Sequence, residues 1–167
     1  MRLSNEEIVT EIVAQYGESV FEFEEPKQLL TFATKADKIV ELIQFLRDSD
    51  RLRFIFLTDI TAVHFPDVKD REFCVVYHLH SLENGVRLRI KVYLPLNAPN
   101  IPTMTSLFAA ANWMERETYD FYGINFEGHP NLKRILNMDE MDYFPMRKEY
   151  ALEDATREDK IDALFGR

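Results

Sequence analysis

The stretch EFCVVYHLHSLENGVRLRIKVYLP, Glu72 to Pro95, decides the fold. Two apolar alternations flank Asn84-Gly85, and both turn residues tolerate positive φ, so the pattern specifies a β-hairpin. With a two-residue loop, Glu83 faces Val86. Leu79 then faces Ile90, Tyr77 faces Val92 and Val75 faces Leu94, which makes one face wholly apolar. The other face pairs His80 with Arg89 and His78 with Lys91.

Upstream, Ser4-x-x-Glu7 reads as a capping box for a helix over 5–16, with Ile8, Ile12 and Val13 at helical spacing and Gly17 as its C-cap. SVFEF and QLLTFAT flank Pro26 and read as two short strands. Ile39, Leu42, Ile43 and Leu46 mark a second amphipathic helix over 36–48. RFIFLTDITAVHF is apolar on both alternations at its start, which suits a central strand.

Downstream, LPLNAPNIPTM reads as a stiff connector that ends the sheet. Thr105 or Ser106 is placed to cap a third helix. Leu107, Ala111, Met114, Thr118 and Phe121 form its stripe, and Gly123 ends it in a left-handed position. After Gly123 no strong period recurs, apart from a short helix expected over 156–165. The expected organisation is an α+β globular domain over 1–123 and an extended tail over 124–167. The sheet is mixed or antiparallel with flanking helices. The tail still carries Phe126, Leu132, Ile135, Leu136, Met138 and Tyr143, which need something to pack on.

Composition excludes several function classes. At 46% hydrophobic and 13% aromatic, the 167 residues fold as a globule. A net charge of −9 argues against general binding to nucleic acid or anionic lipid. No apolar run approaches the ~20 residues of a membrane span. The opening MRLSNEEIVTEIV is acidic after Arg2 and lacks the apolar core of a secretory signal. Cys74 is the sole cysteine, so neither an internal disulfide nor a four-cysteine cluster site is available.

The candidate sites divide by chemistry. His78 and His80 have metal-ligand spacing, but the cations opposite them oppose a divalent ion, and a polar sheet face is the plainer reading. Arg87, Arg89 and Lys91 form a basic stripe that fits a solvated face, an acidic partner or cover by the chain's own carboxylates. Glu115, Arg116, Glu117 and Asp120 crowd the third helix, where Arg116 can reach Asp120 at i,i+4. With Trp113, Tyr119 and Tyr122 beside them, the composition is that of an interface centre. His129 lies in a Gly-His-Pro loop with no nucleophile motif, which favours an anchor over a catalyst. A hydrolase or isomerase using His129 with Glu115 or Asp120, and a free-standing adaptor, are the rival readings.

ERETYDFYGINFEGHPNLKRIL (Glu115–Leu136) and FPMRKEY (Phe144–Tyr150) resemble the C-type subunit of NADH:quinone oxidoreductase, the 30-kilodalton-type subunit of respiratory complex I. The resemblance runs from about Phe108 to Tyr150. It rests on Glu115, Arg116 and Glu117; on Asp120 with Tyr122 and Gly123; on Phe126, Gly128, His129 and Pro130; and on Arg134, Pro145, Arg147 and Lys148. The family usually has Asp at Asn131 and Arg at Lys133, and a Trp and a Gly near Met141 and Tyr143.

The resemblance implies a non-catalytic subunit of the hydrophilic arm, peripheral on the cytoplasmic side of the inner membrane, one copy per hetero-oligomeric complex. Its main partner would be the D-type subunit of complex I, which helps form the quinone cavity, with the B-type and I-type subunits nearby. FMN, iron–sulfur clusters and quinone would belong to other subunits. Glu115, Arg116, Glu117 and Asp120 would then hold the helix end against the Gly-His-Pro loop or a partner, Gly123 and Gly128 would give backbone freedom, and Arg134, Arg147 and Lys148 would meet partner carboxylates. Relatives also serve in other quinone-linked complexes and in membrane-bound hydrogenases.

Overall fold

The structure, a computed structural model, describes residues 3–150. The helix expected over 156–165 lies outside the described residues.

Ser4 caps α1 (Asn5–Tyr16): its Oγ accepts the Glu7 N–H at 3.2 Å, and Glu7 Oε2 accepts the Ser4 N–H at 2.9 Å. This reciprocal pairing satisfies donors that the helix start leaves open. α2 (Ile39–Asp48) buries Ile39, Leu42, Ile43 and Leu46. A single tight turn, Ala36–Lys38, precedes it.

Strands β1 (Val20–Glu24), β2 (Leu30–Thr34), β3 (Phe56–His64), β4 (Phe73–Ser81) and β5 (Val86–Leu94) form one sheet in the order β1-β2-β5-β4-β3. β2 and β5 run parallel and the other pairs antiparallel, so the sheet is mixed. Phe32, Tyr77, Leu79, Leu88 and Ile90 join Ile8, Ile12 and the α2 stripe in one core. The opposite sheet face carries His78, Arg89 and Lys91.

The hairpin forms, but in a different register. Ser81 pairs with Val86, Leu79 with Leu88, Tyr77 with Ile90, Val75 with Val92, and His78 with Arg89. The loop is therefore Leu82–Gly85, not Asn84-Gly85 alone. Asn84 Nδ2 donates to Ser81 Oγ and to the carbonyls of Arg51 and Leu52 at 3.0–3.1 Å, which fixes the wider loop. The slip is an even number of residues, so every side chain keeps its expected face.

β3 is an edge strand, not a central one, and Phe56 near its start is exposed. Its free edge is partly covered by α3 (Ala111–Tyr122), from which Thr118 Oγ1 donates to Ile60 O at 3.2 Å. α3 begins at Ala111, after turns that contain Thr105 and Ser106, so neither residue caps it. Of its expected stripe, Ala111 and Thr118 are buried, and Leu107, Met114 and Phe121 are half-buried. The connector does not simply end the sheet. β6 (Asn100–Pro102) pairs in parallel with β7 (Asn125–Glu127), and Ile101, Ile124 and Phe126 enter the core.

Candidate functional site

α3 is amphipathic in an unusual sense, because its buried face is charged. Glu115 and Asp120 are fully buried and Arg116 nearly so. Buried charges are tolerated only when paired or fully hydrogen-bonded, and each of these finds its partners in the segments flanking the helix.

Asp120 Oδ2 accepts the backbone N–H groups of Ile135, Leu136 and Asn137 at 3.0, 2.8 and 2.9 Å. Its Oδ1 accepts from Arg134 Nη1 at 2.8 Å and from Asn137 Nδ2 at 3.1 Å. Burial alone pushes this carboxyl up. The N–H groups of Asn137 and Leu136, the Arg134 guanidinium and the Ile135 N–H outweigh burial and hold it well below the usual carboxylate range. Arg116 does not reach Asp120, whose lone pairs are taken. It donates instead to Lys133 O at 3.2 Å and Arg134 O at 2.9 Å.

Glu115 faces the other flank. Its oxygens accept from Thr103 Oγ1 at 2.5 Å and from the Met104 N–H at 2.6 Å. Burial pushes this carboxyl up to about 7, against the two hydrogen bonds. Glu117 points outward and is exposed.

The same tail caps the end of α3. A helix leaves its last carbonyls unpaired. Here Tyr119 O receives the Gly123 N–H, Asp120 O receives Arg134 Nη1, Phe121 O receives the Met146 N–H, and Tyr122 O receives Arg147 Nε. Two guanidinium groups at a helix C-terminus also suit its dipole. Gly123 is left-handed at φ 74°, and a Cβ there would meet Phe144 Cε2 at 2.5 Å and Arg147 Nη2 at 2.6 Å. The Arg147 guanidinium lies over the rings of Phe144 and Phe73.

Arg134 and Arg147, expected to meet carboxylates on a partner, are thus engaged within the chain. Arg134 Nη2 also donates to Met141 O and Tyr143 O. Lys148 uses its backbone: its N–H donates to His64 Nδ1 at 2.9 Å. The sequence offered no signal for His64, which is buried, stacked on Phe73 and pushed down in pKa first by burial.

His129 is an anchor. Its Nδ1 accepts the Asn131 N–H at 3.0 Å, which leaves Nε2 to donate to Asn112 O at 3.1 Å. Neither nitrogen bonds a carboxylate of the described residues. Gly128 sits at φ 82° in the same loop, Phe126 is buried, Pro130 is exposed, and Tyr122 and Pro145 are half-buried.

Outward, this assembly presents Trp113, Leu136 and Met138 at 61%, 65% and 69% exposure. Trp113 lies against the Arg116 guanidinium, 5.2 Å from ring centroid to Cζ. Among the described residues, no three His, Cys, Asp or Glu side chains are grouped to hold a metal. None of the described helices is long and apolar enough to cross a membrane.

The family described as respiratory-chain NADH dehydrogenase, 30 Kd subunit, matches residues 32–156. This chain belongs to that family. It is 41% identical over 145 residues to the NADH-quinone oxidoreductase C 2 subunit of Rhizobium meliloti (strain 1021), covering 86% of this chain and 78% of that one. Some members are longer, and the chain spans 49% of one of them.

Two solved structures share the fold. The trypsin-resistant fragment (1-134) of Nqo5 aligns with TM-score 0.65 and 33% identity, over 76% of this chain and 98% of the fragment. A chain of the membrane-bound sulfane sulfur reductase, an archaeal respiratory membrane complex, aligns with TM-score 0.75 and 29% identity. That match covers 88% of this chain and 85% of the other. Within this chain, the charged residues of α3 and the arginines that follow it fasten the described tail to the helix end.

Proposed function

We propose that this chain is a non-catalytic structural and assembly subunit of NADH:quinone oxidoreductase, held peripherally on the cytoplasmic side of the membrane by its partners. It supports the D-type subunit that forms the quinone site, with the B-type and I-type subunits nearby, and it holds no flavin, iron–sulfur cluster or quinone itself. The observation that carries this reading is the clamp at the end of α3. Its hydrogen bonds are satisfied within the chain, yet it displays Trp113, Leu136 and Met138 to solvent. Large apolar side chains on a rigid frame beside an arginine have the make-up of a binding hot spot. The signature residues then act in two layers. Asp120, Arg116, Arg134 and Arg147 shape the surface, and the exposed apolar side chains make the contact.

The likeness to the archaeal sulfane sulfur reductase chain favours a second reading, the equivalent subunit of a related membrane complex with another electron donor or acceptor. A mild-detergent pull-down of the tagged chain from native membranes separates the readings. Recovery of iron–sulfur and integral-membrane subunits with NADH-driven quinone reduction supports the first. The same recovery with activity from another donor supports the second. Recovery of the chain alone from the soluble fraction contradicts both. Trp113→Ser with Met138→Ser is expected to lower recovery of partners while the isolated chain stays folded.

A further inference from the structure

The open face of the sheet, remote in sequence from the signature, carries a second feature. β5 lines up Arg87, Arg89 and Lys91 on that face, two residues apart. Lys91 is already neutralised by Glu24 of β1. No carboxylate of the described residues lies within ion-pair distance of Arg87 or Arg89, nor of Lys27 in the adjoining turn. Arg51, Arg53, Arg71, Arg134 and Arg147, by comparison, each reach a carboxylate.

These cations share one groove. A concavity of about 1100 Å³ is lined by Lys27, Gln28, Asp59, His78, Arg87 and Arg89, among others. Lys27 and Gln28 both adopt left-handed backbone at φ 53° and 65°, a rare conformation for side chains other than glycine. Arg89 Nε donates to His78 Nε2 at 2.9 Å, so the proton of neutral His78 sits on Nδ1, 3.7 Å from Asp59. Among the described residues that line the groove, Asp59 is the one acidic side chain, and it lies beside this histidine.

We propose that this groove binds an extended acidic segment of a partner polypeptide, whose alternate carboxylates pair with Arg87 and Arg89 as Glu24 pairs with Lys91. Side chains two apart on a strand recur at roughly 6.5–7 Å, the same repeat as alternate residues of an extended ligand. The planar fork of arginine also suits carboxylate recognition. The overall charge of −9 disfavours long polyanions and charged membranes, whose fields extend over the whole chain, but it does not prevent a short acidic peptide from meeting a local basic groove. The groove is built by this chain alone, whichever assembly the chain joins.

The test uses the full chain and a labelled extended peptide alternating Glu and Thr, followed by fluorescence anisotropy at low salt and by amide chemical shifts. The expected result is saturable binding with shifts centred on residues 27–29 and 86–90. Arg87→Glu with Arg89→Glu is expected to weaken it by about tenfold or more, as replacement of two charge pairs by repulsion requires. Lys35→Glu with Lys69→Glu, on cations outside the groove, leaves it unchanged. Should the reversal variant unfold, the wild-type shift map alone decides. Absence of binding, shifts centred elsewhere, equal loss in the control, or tighter binding to inorganic phosphate or phosphatidylglycerol vesicles would each overturn the proposal.

Discussion

Arg116 and Asp120 stand one turn apart on α3 and hold a single run of backbone by opposite chemistry. Arg116 donates to the carbonyls of Lys133 and Arg134, and Asp120 accepts the N–H groups of Ile135, Leu136 and Asn137. A stretch with no hydrophobic period is thereby given a fixed path. The pair works as a clamp on the tail rather than as an ion pair on the helix.

The Asp120–Arg134 bridge lies at the centre of this clamp, with side-chain exposures of 0% and 9%. Asp120→Asn is expected to cost about 2–4 kcal/mol, since it strands a buried guanidinium and weakens the acceptor of three N–H groups. A double-mutant cycle with Arg134→Met, read by chemical denaturation, should return a coupling of about 1–3 kcal/mol. Additive effects would show that the bridge does not organise the tail.

Glu115 predicts a pH dependence of definite sign. Its folded value of about 7 lies above the ordinary value of 4.5, so the folded chain binds this proton more tightly. The stability that it contributes is complete below about pH 4.5 and is lost as pH rises through about 7. Glu115→Gln keeps an acceptor for the Met104 N–H. Its new amide N–H donors can turn to Thr103 Oγ1, which shares a hydrogen with Thr105 Oγ1. The melting temperature of the variant should gain on that of the wild type between those pH values, then keep a constant lead. Asp120 has the opposite sign: its contribution is lost only under strong acid as pH falls through its depressed value, outside this window. The difference between variant and wild type also cancels the histidines. Parallel curves from pH 4 to 8 would refute the assignment.

Two glycines separate strain from collision. Gly128→Ala meets only the left-handed backbone, because the nearest atom to a new Cβ is Thr103 Cγ2 at 3.5 Å. Its expected cost is about 1 kcal/mol. Gly123→Ala adds overlap with Phe144 and Arg147. It should cost about 2–4 kcal/mol and release the segment around residues 143–148 from α3. Equal costs in thermal unfolding would contradict the close packing of the tail on the helix end.

Much of the fold was legible because it is written in local periods. The hairpin faces, the capping box at Ser4 and the αL cap at Gly123 all follow from residues a few positions apart. The register was not legible, because it is set by Asn84 reaching Arg51 and Leu52, more than 30 residues away. β3 looked central because both of its alternations begin apolar, yet only one face meets the core. The pairing of β6 with β7 was hidden by its length and by the intervening helix. At the site, the sequence marked the charged residues of α3 and missed their hydrogen-bond partners. An i,i+4 rule joins Arg116 to Asp120, but burial rewards the carbonyls and N–H groups of a loop that has no pattern of its own. His64 was invisible for the same reason, since it meets a backbone N–H from Lys148.

The measurement that tests the clamp most directly is amide hydrogen exchange of Ile135, Leu136 and Asn137 in the isolated chain, wild type against Asp120→Asn. Strong protection of these three amides is predicted in the wild type without any partner. In the variant, protection should fall by about two orders of magnitude or more, while the amides of β4 and β5 keep theirs. Free exchange at these positions in the wild-type chain would contradict the clamp, and would mean that the tail takes its path from a partner and not from Arg116 and Asp120.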